Sequence, residues 1–257
     1  MQLWTKEHAS TLLPAVAIMI MIAAVLRLTI GKKDLKIRMI PFQILAVILF
    51  LLEIGKQVDS FRGGYDLYHL PFHFCSLFIF MMPIMAFYRG KHENTVRGIT
   101  SALCASVFLL MMAYPCLIYS ADNIKRFFEG YQDMHTVAFH NIVVFAFILI
   151  VALDLHTPAP KGEPKAVAIF IVCFCAVSAS MAHLLQTNFN NFYTCNIPPL
   201  ETVRLAVAAA LGEGVAALIY VLIVTVLDIL FVQMSYWLVR GLLRLFSGKK
   251  IQAEPVQ

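Results

Sequence analysis

The chain has 257 residues, of which 60% are hydrophobic and only 14% charged, with a formal net charge of +5. A soluble domain is about half apolar and a quarter charged, so this composition excludes a disordered chain, a coiled coil and a nucleic-acid-binding module. One membrane span takes ~20 apolar residues and seven take ~140, which leaves almost nothing for a soluble domain.

Taken in chain order, seven apolar segments read as spans: Leu12–Ile30, Met39–Gly55, Leu70–Tyr88, Gly98–Tyr119, Thr136–Leu153, Ala166–Leu185 and Leu205–Leu227. Each is expected to be a helix, because backbone in lipid must satisfy its own hydrogen bonds. The first is not read as a cleaved leader: Arg27 and a lysine pair close it, and no small-residue cleavage site follows. The second is the weakest, since Glu53 and Lys56 crowd its end. Beyond the seventh, residues 228–247 carry Tyr236, Trp237, Arg240 and Arg244. They read as an interfacial helix or as the seventh helix running on past the membrane. No repeat, low-complexity tract or separate basic domain is present, so residues 1–257 form one all-α membrane bundle.

Lys and Arg set the orientation. With the N-terminus outside, fourteen fall inside (Arg27, Lys32, Lys33, Lys36, Arg38, Arg89, Lys91, Arg97, Lys161, Lys165, Arg240, Arg244, Lys249 and Lys250) and six outside (Lys6, Lys56, Arg62, Lys125, Arg126 and Arg204). The expectation is N-out and C-in.

With that orientation, the histidines segregate the other way. His8, His69, His73, His135, His140 and His183 fall toward the outer side, and only His92 and His156 inside. Cys75, Asn141, Tyr114, Glu53 and the run Gln186-Thr187-Asn188 share the outer third. Ionisable groups inside a membrane are candidates for function, so these residues predict a polar cavity open toward the outer leaflet.

The stretch His69-Leu70-Pro71-Phe72-His73-Phe74-Cys75-Ser76-Leu77 carries Pro-x-His-x-Cys at the start of a span. In this it resembles the YwaF family of bacterial integral membrane proteins, which is similar to animal transmembrane protein 164. The likeness covers most of the chain: seven spans, His-x-Cys in the third, a histidine early in the fifth, and an Asn-aromatic stretch from Thr187 to Pro199. This chain has Asn188-Phe189-Asn190 where typical members read Asn-Tyr. The resemblance implies residence in a bacterial cytoplasmic membrane. It also implies acyl transfer between phospholipid and lysophospholipid, with Cys75 as nucleophile, His140 as its base and no cofactor.

The chemistry is coherent. The thiolate is the attacking species, and a thiol in low dielectric needs a neighbouring base, a task that suits an imidazole. Cys75 would take the acyl group from a phospholipid ester. A lysophospholipid hydroxyl, deprotonated by the imidazole, would then collect it, with Asn141 or Asn188 holding the oxyanion. On a continuous helix His73 would point about 200° away from Cys75, so the preferred partners rank His140, His183, His73. Tyr114 and Glu53 are further candidates for the cavity wall.

Bland readings stand beside these. A cysteine in a span usually packs as a small hydrophobe, and a membrane histidine often only bonds between helices. For Glu53 the alternatives are a proton carrier and a plain pair with Lys56 at the interface. Cys116 and Cys195 could form an outer disulfide. The outer histidines with Cys75 could instead hold a metal or small ligand, or the chain could be a transporter, although repeats are lacking. The chain has no His-x-x-x-x-Asp, Cys-x-x-Cys or P-loop motif.

Overall fold

A computed structural model describes residues 3–159, 162–195 and 198–247. Lys161, Lys249 and Lys250 of the basic count lie outside the described residues. The described chain is all helical, with no strand among the described residues. Among the described residues, six stretches are long and apolar enough to cross a membrane: Lys6–Ile30, Leu35–Arg62, Glu93–Ala113, Tyr131–Ala152, Glu163–Leu185 and Glu213–Phe246. A seventh apolar helix, Phe74–Phe87, is shorter. The protein is an integral, multi-pass membrane protein.

The first helix, α1 (Lys6–Ile30), shows how lipid shapes the pattern. It is apolar nearly all round, yet only His8, Leu12, Val16 and Ala23 are buried, a narrow stripe at helical spacing. Leu13, Ile18, Met21 and Leu28 stay exposed. In water such a surface would be a liability; against hydrocarbon it is the expected outer face. A short turn, α2 (Leu35–Arg38), leads into α3 (Ile40–Arg62). Then come α4 (Leu77–Phe87) and α5 (Glu93–Ala113). In α5, every residue from Arg97 to Val107 is buried, so it is the central helix. The small turn α6 (Ala121–Lys125) precedes α7 (Tyr131–Ala152) and α8 (Glu163–Leu185). Helices α4, α7, α8 and the last helix surround α5, while α1 and α3 pack on α7.

Arginines close one end of the bundle. Arg27 donates to the carbonyls of Ala152 (2.5 Å) and Phe246 (2.6 Å), and Arg38 to those of Leu153 (2.5 Å) and Asp154 (3.0 Å). The last carbonyls of a helix have no partner within it and carry its negative dipole end, so cations there satisfy both needs. At the same end Glu163 accepts from Asn94, His156, Tyr236 and the Ala159 backbone, a buried carboxylate with all its acceptor sites engaged.

The structure corrects the expectation of a continuous helix over Leu70–Tyr88. Leu70 is extended (φ −62°, ψ 147°), as a residue before proline must be, and His73 is extended too (φ −82°, ψ 155°). Regular α-helix begins only at Leu77. The broken stretch is tolerated because the protein supplies its partners. Gln57 donates to the carbonyl of His69 (3.0 Å) and Ser178 to that of Phe72 (2.7 Å).

The other end of the chain divides differently from its hydropathy. Helix α9 (Pro198–Leu211) ends at Gly212, whose φ of +88° makes the turn into α10 (Glu213–Ser247). Glu201 and Arg204 pair at 2.7 Å on α9, and that bond holds the Glu201 carboxyl below its ordinary range. Residues 228–247 belong to α10 without interruption. At 1.5 Å per residue α10 is ~52 Å long, well beyond one bilayer core.

Candidate functional site

A cavity of about 620 Å³ opens at the end of the bundle opposite the arginines, between α3, the broken stretch before α4, α7, the loop after α8, and α10. Cys75, His140, His73, Asn188 and Glu53 all line it.

Cys75 is placed by the break. Pro71 and the extended His73 delay the helix, so Cys75 sits in its first, 3₁₀ turn, half-buried on the cavity wall. The N–H groups of Phe74 and Cys75 open this helix and have no carbonyl within it to bond. N–H groups at the start of a helix are the kind of donor that can hold an oxyanion.

His140 is buried on α7. Its Nδ1–H donates to the carbonyl of Thr136 at 2.7 Å, while Nε2 is buried without a hydrogen-bond partner. The first bond selects the tautomer, and the second nitrogen keeps a free lone pair. No hydrogen bond joins Cys75 to a histidine among the described residues. His73 is engaged elsewhere: its Nε2–H donates to the Tyr68 carbonyl (3.0 Å), and its ring lies against Tyr68 and Phe189. The helical-face argument against His73 lapses, since the chain there is extended, but this bond holds the ring toward Tyr68.

Glu53 is a bracket. Its carboxylate accepts from His135 Nε2 (3.1 Å), Gln57 (2.7 Å) and Lys56 (3.0 Å), tying α3 to α7. Close approach of these helices rests on Gly55, since a methyl there would fall on the Tyr131 hydroxyl, which donates to the Leu52 carbonyl at 3.0 Å. Asn188 spends its side-chain oxygen within its own loop, accepting from the N–H of Tyr193 (3.1 Å) and Thr194 (3.0 Å).

Three candidates lie away from this cavity. His183 is exposed, edge-on to Tyr193. Asn141 donates to the Val137 carbonyl (2.8 Å) and faces a separate apolar groove between α1, α6 and α7. Tyr114 caps α5 in a non-helical conformation (φ −151°, ψ 70°) before Pro115. Cys116 and Cys195 are not joined by a disulfide. Among the described residues no group of three or more His, Cys, Asp or Glu is arranged to hold a metal ion.

Sequence reasoning missed the far wall of the cavity. There α10 presents Tyr220, Val224, Leu227, Asp228 and Phe231, a stripe at helical spacing, and the loop after α8 adds Asn190. The sequence reading ends the seventh span at Leu227, just short of Asp228, whereas α10 carries Asp228 in its interior. A carboxylate followed by further apolar residues was the signal that it lies inside one.

No curated protein and no solved structure matches the chain. A family model does, over residues 3–236 and so over nearly all the helices that build the cavity: the chain belongs to the TMEM164 family.

Proposed function

We propose that the protein is an acyltransferase that moves a fatty acyl chain from a phospholipid to a lysophospholipid through an acyl-thioester on Cys75. The observation that carries this reading is the state of His140. One ring nitrogen is fixed by the Thr136 carbonyl, and the other is an unpartnered lone pair in the wall of the cavity that Cys75 also lines. A buried nitrogen without a partner is costly unless it has work to do, and a base for a thiol is such work.

In the first half of the reaction, Nε2 of His140 takes the thiol proton. The sulfur attacks the ester carbonyl carbon, a C–S bond forms, the ester C–O bond breaks and a lysophospholipid leaves. The N–H groups of Phe74 and Cys75 stabilise the oxyanion. In the second half a hydroxyl of another lysophospholipid attacks the thioester carbonyl: a C–O bond forms, the C–S bond breaks, the thiolate recovers its proton from His140, and the proton this hydroxyl loses balances the one that the departing lysophospholipid oxygen gained. The apolar part of the wall, with Phe74, Phe139 and Phe231, suits an acyl chain. The basic count supports an outward-facing cavity, with the arginine end in the cytoplasm.

The test is mass spectrometry of Cys75 after incubation of the purified protein with phospholipid vesicles. An added acyl mass, lost on treatment with hydroxylamine, is the expected result. An unmodified Cys75 beside continuing acyl transfer would overturn the thioester.

A further inference from the structure

Asp228 is the only charged residue between Glu213 and Arg240 on α10, and it lies on the cavity wall. Charged groups inside a membrane normally pair. Here, among the described residues, no cation does so. One oxygen, Oδ2, accepts from the Asn190 amide at 2.9 Å and from the Cys175 thiol at 3.6 Å, and both of these bonds leave Oδ1 aside. Asn190 reaches in because its backbone is left-handed (φ 47°), as is that of Asn191 (φ 59°), a conformation asparagine adopts more readily than most residues. Tyr220 fixes the same loop by donating to the Asn191 carbonyl at 2.7 Å.

Two bridges set Asp228 beside the Cys75 segment. On α8, the Phe174 ring packs on that of Phe74 (6.3 Å between centroids), and the next residue, Cys175, touches Asp228. In the loop, Phe189 packs on Phe72 and His73 (5.3 Å each), and the next residue, Asn190, holds Asp228. The carboxyl group is therefore tied through these two bridges to the segment that carries Cys75, and both residues line the same cavity.

We infer that Asp228 is a further catalytic residue of the proposed reaction, the acid and base for the lipid oxygen, while His140 serves the sulfur. The inference rests on the thioester reading above. An unpaired charge in an apolar span is costly, so Asp228 enters the cycle as a neutral acid with its proton on Oδ1. In the first half His140 takes the thiol proton and Asp228 gives its own to the oxygen of the leaving lysophospholipid as the C–O bond breaks. In the second half the acceptor hydroxyl returns a proton to Asp228 as its oxygen bonds to the carbonyl carbon. The C–S bond breaks, and the thiolate recovers its proton from His140. Protons and bonds balance, and each half is the reverse of the other in form. This gives Asp228 the transfer at the lipid oxygen that the sequence reading gave to the imidazole.

Leaving-group dependence tests it. Acylation of Cys75 is followed in the full-length protein with two donors, vesicles of dioleoylphosphatidylglycerol and p-nitrophenyl oleate, whose phenolate leaves without a proton. Asp228→Asn should acylate at the wild-type rate from the activated ester and about 100-fold more slowly from the phospholipid, in the range of general acid catalysis. The activated ester also reports that the variant is folded. Wild-type rates with both donors would overturn the inference. Loss of both would be resolved by Asn190→Ala: the same split between donors, at about tenfold, upholds it, and no split overturns it. Wild-type protein that neither donor acylates would overturn the thioester reading and this inference with it.

Discussion

The carbonyl of Thr136 lies 2.7 Å from Nδ1 of His140, one turn back on the same helix. This bond is made within α7, so the imidazole keeps its tautomer whatever happens to the cavity around it. The consequence is an imidazole oriented by its own helix rather than by another side chain. Cys75→Ala should abolish transfer while the protein still folds, since the loss of one sulfur leaves a small void. His140→Ala should be nearly as severe. The double variant should be no slower than either alone, because groups that act as a unit do not add. Multiplying defects in a lipid-transfer assay would show that the two do not act together.

Glu53 should matter for stability more than for chemistry. Its three donors come from α3 and α7, and the side chain is nearly inaccessible. Glu53→Ala leaves Lys56 and His135 buried without their acceptor, a loss on the order of 3 kcal/mol. A lower melting temperature in detergent should appear, with acylation of Cys75 retained below it. An unchanged melt together with loss of acylation would move Glu53 into the catalytic set.

Gly55→Ala should push Tyr131 off the Leu52 carbonyl. One hydrogen bond and some packing are at stake, about 1–2 kcal/mol. Tyr131→Phe removes the hydroxyl that the new methyl would strike, so the pair of substitutions should cost less than the sum of the two. Strict additivity in thermal melts would mean that the helices do not meet there.

Orientation is checked by labelling. A cysteine introduced at Lys91, between α4 and α5, should react with a membrane-impermeant reagent only after the cytoplasmic side is opened. Labelling of intact cells at this position would invert the bundle and turn the cavity toward the cytoplasm.

Much of the architecture was legible because hydrocarbon imposes it. Runs such as Leu12–Ile30 and Ala166–Leu185 are apolar on every face, and only helices satisfy backbone in lipid, so α1 and α8 followed from length and composition. The Pro-x-His-x-Cys stretch marked one wall of the cavity. Hydropathy averages over a window, however, and could not show that Pro71 delays the helix until Leu77, since Phe72, Phe74 and Leu77 are apolar in either conformation. For the same reason hydropathy ends the last span at Leu227, whereas α10 runs on through Asp228 unbroken.

What the sequence determined by itself is therefore what each segment must do alone: enter lipid, form a helix, and leave its basic ends on one side. The tertiary structure decided which polar groups meet. His183 and His140 looked equivalent as imidazoles near span ends, yet one is exposed beside Tyr193 and the other is buried on the cavity wall. Asp228 is linked to the Cys75 segment only through a loop that turns back at Asn190 and a helix, α8, that touches both. Such meetings depend on contacts between residues more than a hundred positions apart in the chain, as Ser178 and Phe72 are, and no local pattern records them.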